Sequence, residues 1–202
     1  MKNNSTIKKI LIIAIFTGIL SSCVNEDDTS LPDYTPLQFA ENFDTGEDNV
    51  ILTLEGWDNI AEQGDAFWKV QEYSGNGYAE FTSYQSGDAN NVSWLVSPEV
   101  MLSENNTNIL RFQVSQSYVS NTDNTLEVLI SSDYAGDVTT ATWTPVQANI
   151  PGTDAEYFLF GDSGLISLSE FSGPLHIAFK VTGSGTNTSL DGSYQIDNVR
   201  VY

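Results

Sequence analysis

The stretch "SYQIDNVRVY", Ser193 to Tyr202, reads as a strand with one misplaced residue. Side chains alternate faces along a strand, which puts Gln195, Asp197, Val199 and Val201 together and Tyr194, Ile196, Asn198, Arg200 and Tyr202 opposite. If the valines face a core, Asp197 is carried in with them, and a carboxylate among apolar neighbours needs a partner. The other end of the chain repeats the pattern. In "LQFAENF", Leu37 to Phe43, Glu41 shares a face with Phe39 and Phe43.

Between these ends, helical periodicity is almost absent from Thr35 onward. Short alternating or apolar runs recur: "AFWKVQ", "GYAEFTSY", "VSWLVSP", "NILRFQVSQSY", "TLEVLISS" and "PLHIAFKVTG". Clusters such as "SGNG", "SGDANN", "SNTDN" and "GSGTNTSLDGS" punctuate them as turns. In "LEVLISS", Leu126, Val128 and Ile130 face one way and Glu127 and Leu129 the other. Many short strands between turn signals predict an all-β antiparallel sandwich or barrel. No tandem repeat interrupts it, so residues 37–202 form one domain large enough for a proper core.

The front of the chain has a different character. Lys2, Lys8 and Lys9 precede the apolar run "ILIIAIFTGIL", which closes on "LSSC" at Cys23. That order is a secretory signal over 1–22, too short for a spanning helix. The small-small-Cys ending resembles the lipobox of bacterial lipoproteins, making Cys23 the lipidated residue. An ordinary signal peptide with a chance cysteine is the alternative. Cys23 is the only cysteine, which excludes a disulfide and a thiol nucleophile. Residues 23–36 hold two prolines and the acidic run Glu26-Asp27-Asp28, a flexible tether. The acidic run resembles the signal that sends Bacteroidetes lipoproteins to the outer face of the outer membrane; a merely solvated linker is the other reading. The expected location is therefore the outer membrane, facing the exterior.

Beyond the signal only Lys69, Arg111, Lys180 and Arg200 remain, and these four cations against 27 acidic residues leave a formal net charge of −23. Such a surface repels nucleic acid and anionic lipid and is compatible with cation binding. Catalysis has little support. The only histidine, His176, sits in a strand beside Ala178 and Lys180, and a hydrolytic triad needs a base. With 27 acids, any carboxylate pair chosen for glycoside hydrolysis is arbitrary. No zinc spacing exists, and "GSGTNTSLDGS" lacks the lysine and helix of a phosphate loop.

Several motifs line up in order: "FAENF" (39–43), "GW" (56–57), "FW" (67–68), "WLVSP" (94–98), "LEVLISSDY" (126–134), "ISLSEFSG" (166–173), "HIAFKVTGSG" (176–185) and "YQIDNVRV" (194–201). Over residues 37–202 this resembles a choice-of-anchor J domain, related to the cleaved-adhesin domains, in the form common in flavobacterial surface proteins. The resemblance implies a jelly-roll β-sandwich of the carbohydrate-binding-module and MAM-like kind. It also implies a role in adhesion or ligand binding, often with a structural calcium.

Jelly rolls bring their first and last strands together, which would set Glu41 near Asp197, with Asp44 within reach. Two like charges in a partly buried place require a cation or a proton. Calcium takes six to eight oxygen ligands, so Glu41, Asp44 and Asp197 with main-chain oxygens are the expected calcium site. The alternative is that Asp197 pairs with a backbone amide or with one of the cations. Of four tryptophans, Trp57, Trp68 and Trp94 read as core. Trp143, Tyr73, Tyr78, Tyr84 and Tyr118 lie near polar loops and are the expected ligand-binding aromatics. The functional expectation is a monomeric, surface-anchored, non-enzymatic module for carbohydrate or a host or matrix component. A protein-binding accessory subunit of an outer-membrane complex is the alternative, and a hydrolase the remote one.

Overall fold

The computed structural model describes residues 36–104 and 108–202, and every regular element among them is a β-strand. The signal segment, Cys23 and the tether up to residue 35 lie outside the described residues. In chain order come β1 (Phe39–Glu41), β2 (Val50–Ile51), β3 (Asp58–Gln63), β4 (Lys69–Tyr73), β5 (Asn76–Thr82), β6 (Asn91–Val96) and β7 (Val100–Met101). They are followed by β8 (Ile109–Ser117), β9 (Thr125–Ser131), β10 (Thr144–Val146), β11 (Gly161–Asp162), β12 (Ile166–Ser167), β13 (Pro174–Gly183) and β14 (Ser193–Val201).

These strands pair antiparallel into two sheets, a jelly-roll sandwich. The eight-stranded sheet runs β11-β8-β14-β5-β4-β2, with β1 added to β14 and β12 to β8. The six-stranded sheet runs β10-β9-β13-β6-β3, with β7 added to β13. First and last strands do meet: Phe39 lies opposite Val201 and Glu41 opposite Val199.

The main core fills the space between the sheets. Phe112 of β8 meets Phe179 of β13 edge-on at 5.1 Å, and Trp68 packs on Phe81 at 5.8 Å. Such pairs add about 0.5–1.5 kcal/mol each beyond the area they bury. The alternation of "LEVLISS" places Leu126, Val128 and Ile130 in this core, as expected. Leu129, on the far side, joins a second apolar layer with Trp94, Val96, Tyr134, Trp143 and Ala178. The segment from Tyr134 to Trp143 roofs that outer face of the six-stranded sheet. Trp94 is therefore buried, as expected, but beneath this roof, its indole N–H donating to Glu62 at 2.7 Å. A sheet covered on both sides explains why β6 reads as a nearly unbroken apolar run rather than an alternation.

Asp197 departs from simple alternation. The β14–β8 register shifts between Asp197 and Arg200, and Asn198 takes the left-handed conformation at φ 52°. This bulge resets the pleat, so Tyr194, Ile196, Val199 and Val201 all enter the core. Asp197 thus sides with Gln195 on the outer face of the eight-stranded sheet, not with the valines. Glu41 keeps the inward side of β1 but folds back, its Oε1 accepting the amides of Asn42 and Phe43.

Candidate functional site

With the six-stranded sheet roofed, the outer face of the eight-stranded sheet is the one that carries alternate polar side chains of β5, β8 and β14. Their polar atoms satisfy one another. Ser115 Oγ donates to Gln195 Oε1 at 2.7 Å, and Gln195 Nε2 donates to Glu80 Oε2 and Ser193 Oγ, both at 2.7 Å. The Ser117 and Ser193 hydroxyls lie 2.6 Å apart. Burial pushes the Glu80 carboxyl up, while hydrogen bonds from Gln195 and Ser193 and the charge of Lys69 pull it back.

Over one end of this floor opens a groove of about 700 Å³. Glu80, Thr82, Ser117, Ser193 and Asp191 supply its polar lining, and Tyr84, Tyr118, Tyr157 and Phe158 its aromatic walls. These residues are 59, 63, 48 and 49% exposed respectively, so they lie at the surface rather than in the core. The Tyr118 and Tyr157 rings lie 4.8 Å apart. Tyr118 and Phe158 hold positive φ angles of 60° and 58°, a conformation costing about 1–2 kcal/mol for a side-chain-bearing residue. One buried residue bonds to the chain beside both bends. Gln116 donates from Nε2 to Ala155 O at 2.7 Å and accepts the Val119 amide at Oε1, 3.0 Å away. Its main-chain carbonyl takes the Phe158 amide at 2.9 Å.

The groove gathers only part of the expected aromatic set. Tyr84 and Tyr118 line it. Tyr78 stands mid-face on β5, edge-on to Phe160 at 5.5 Å. Tyr73 is at the β4–β5 hairpin, the opposite end of β5 from Thr82, and Trp143 is on the other sheet, against Trp94 at 5.2 Å. Tyr157 and Phe158 were not anticipated; "AEYFLFGD" carried a usable signal, three aromatics in a segment without strand alternation. His176 is remote from the groove, on β13 of the other sheet, with Nδ1 2.8 Å from Ser97 O.

Asp44 and Asp197 approach each other beside the β4–β5 hairpin. Asp44 Oδ1 accepts the Gly77 amide at 2.8 Å, and Asp197 Oδ2 accepts the Asn76 side-chain amide at 3.0 Å. A Cβ on Gly77 would sit 2.6 Å from Phe43 O, so only glycine permits this approach. Burial pushes the Asp197 carboxyl up, bonds from Asn76 and Asn198 pull it back, and the Asp44 charge pushes it up again. Among the described residues the ion pairs are Arg111–Asp162 and Lys180–Glu127, so no cationic side chain pairs with this couple. No three acidic, histidine or cysteine side chains converge to hold a metal among the described residues, and Glu41 does not complete the expected trio. Carboxylate, amide and main-chain oxygens are the ligand types a hard cation takes, and Asp44, Asp197 and Asn76 supply the first two here.

Solved structures share the fold. Two cleaved adhesin domains of Lys-gingipain from Porphyromonas gingivalis superpose with a TM-score of 0.53. One is 15% identical, covering 81% of this chain and 96% of its own; the other is 17% identical, covering 83% and 99%. A further cleaved adhesin domain of Lys-gingipain gives 0.54 at 16% identity, over 81% of this chain and 98% of its own. No family model and no curated protein matches the chain. At these identities the likeness establishes the jelly-roll fold.

Proposed function

We propose that this protein is a non-enzymatic binding module of the choice-of-anchor J kind, displayed on the outer membrane through lipidated Cys23, that takes a glycan in the Tyr84–Tyr118–Tyr157–Phe158 groove. One observation carries the reading: four exposed aromatic residues stand over a floor of hydroxyl, carboxylate and amide groups. Sugars present apolar C–H faces that stack on aromatic rings and hydroxyls that need both donors and acceptors. A calcium ion held by Asp44 and Asp197 is part of the proposal. It would neutralise their repulsion and tie β14 to the chain leaving β1.

The test is a glycan array with the full chain purified in detergent, followed by calorimetry on any hit. Tyr157→Ala should weaken the hit by up to about tenfold, the worth of one aromatic contact. Tyr157 is preferable to Tyr118 here because its backbone is unstrained. A blank array together with a co-purifying outer-membrane protein would replace this reading with that of an accessory subunit.

A further inference from the structure

At the other end of the same sheet face, the pattern of charge reverses. The chain has only two arginines, Arg111 on β8 and Arg200 on β14, and the register sets them directly opposite each other. Like charges directly opposed across a strand pair are destabilising. With 27 acids in the chain, one acid answers this pair. Arg111 donates from Nε to Asp162 Oδ2 at 2.6 Å and forms an ion pair with it. Among the described residues, the exposed Arg200 donates only to the neutral Asn198 Oδ1 at 3.1 Å. Both arginines line a cavity of about 230 Å³, with Asp162, Gln113, Asn198 and Tyr202 as its other polar walls.

We infer that this cavity is a carboxylate-recognition subsite, which takes the uronate group of an acidic glycan on the Arg200 guanidinium. A planar guanidinium matches a carboxylate through two parallel N–H bonds, and the flanking amides and phenol can bond the neighbouring sugar hydroxyls. The acid in the cavity wall, Asp162, is paired with Arg111 and leaves the Arg200 guanidinium without a carboxylate partner among the described residues, and exposed charges beyond a Debye length of about 8 Å are largely screened at physiological salt. From Ser193 to Arg200 the strand rises about 3.3 Å per residue, so the subsite lies on the order of 23 Å from the groove. The Tyr78–Phe160 contact stands mid-face on the same sheet. The two loci are therefore separable, although the sugar assignment here rests on the glycan reading of the fold.

Calorimetry of the full chain with tetragalacturonate, and with its methyl ester, tests the inference. The ester keeps the sugar and removes the charge. The acid form should bind at least about tenfold more tightly than the ester, as a charge-assisted fork implies. Arg200→Gln should bring the acid down to the ester's affinity without lowering the melting temperature, since it also relieves the repulsion from Arg111. Arg200→Lys, which keeps charge but loses the fork, should recover only part of it. Acid and ester binding alike, no binding of the acid, or an unchanged affinity in R200Q would each overturn the subsite. Displacement of the acid form by an equal concentration of acetate would overturn the sugar assignment. Tyr157→Ala, measured on a groove ligand, reads the other locus independently.

Discussion

Gln116 offers the sharpest test of how this groove is held open. It is fully buried, and its side chain alone joins Ala155 on one wall to Val119 on the other. Replacing it with alanine strips the Val119 amide, in a residue only 2% exposed, of its acceptor. An unsatisfied buried amide costs about 1–3 kcal/mol. Ala155 is half-buried, so water can reach its carbonyl and little is added there. The total is about 1–3 kcal/mol, and a domain of this size loses about 2–4 °C of melting temperature per kcal/mol. Gln116→Ala should therefore melt roughly 2–12 °C below wild type by circular dichroism. The left-handed bends at Tyr118 and Phe158 persist only while their surroundings over-determine them, so both aromatic walls should loosen as well. Backbone amides of 155–158 should exchange faster, and groove affinity should fall. Gln116→Glu keeps the acceptor for Val119 but buries a carboxylate against the Ala155 carbonyl, and should melt no higher than Gln116→Ala at neutral pH. If Gln116→Ala melts within a degree of wild type and the Phe158 amide keeps its protection, the walls are held by something else.

Three further outcomes follow from other residues. Glu80 is raised by burial, so its folded form keeps a proton that the unfolded chain has lost, and its contribution to stability declines as pH rises above the unfolded value. The melting-temperature advantage of Glu80→Gln over wild type should thus be larger at pH 7 than at pH 4; a constant difference would contradict the burial of this carboxyl. Trp143→Ala removes a half-buried ring packed on Trp94 and Tyr134, and should cost about 2–4 kcal/mol in a denaturant titration while leaving groove affinity unchanged. A parallel loss of affinity would place Trp143 in the ligand surface after all. Calcium at a hundred times its dissociation constant should add about 2.7 kcal/mol, or roughly 5–10 °C, reversed by chelator and absent in Asp197→Asn. Equal melting with calcium and with chelator would leave Asp44 and Asp197 as a purely hydrogen-bonded contact.

The strands were legible because both sheets bury at least one face, so hydrophobic alternation had to appear in β5, β8 and β9. The meeting of β1 with β14 was legible from the resemblance and from two acids that broke the pattern at opposite ends. The side of the sheet on which Asp197 lies was not. Alternation counts residues, and a bulge adds one without any mark in the residue pattern beyond Asn198, a residue tolerant of left-handed backbone. The same limit separated the expected aromatics. Tyr73, Tyr78 and Tyr84 are near in sequence, yet they spread from one end of β5 to the other, since a strand carries its residues apart at about 3.3 Å each. Tyr157 meets Tyr118 where Gln116 bonds its loop to the sheet, a long-range contact that no local pattern encodes.

The division of labour between the sheets explains why a site forms where it does. Roofing the six-stranded sheet with the Tyr134–Trp143 layer removes one outer face from contact with ligands. On the other, Ser115, Ser117, Ser193, Gln195 and Glu80 bond to one another, which makes polar burial tolerable without a covering layer. That closed network has a second effect. A floor whose donors and acceptors are already fixed in place need not reorganise when a ligand arrives, so less of the binding energy is lost to ordering. The strained walls act in the same direction, because Tyr118 and Phe158 are held in their bends before any ligand is present. Rigidity of the floor and strain in the walls therefore belong to one arrangement, and Gln116 and Gln195 are the two buried amides through which it is maintained.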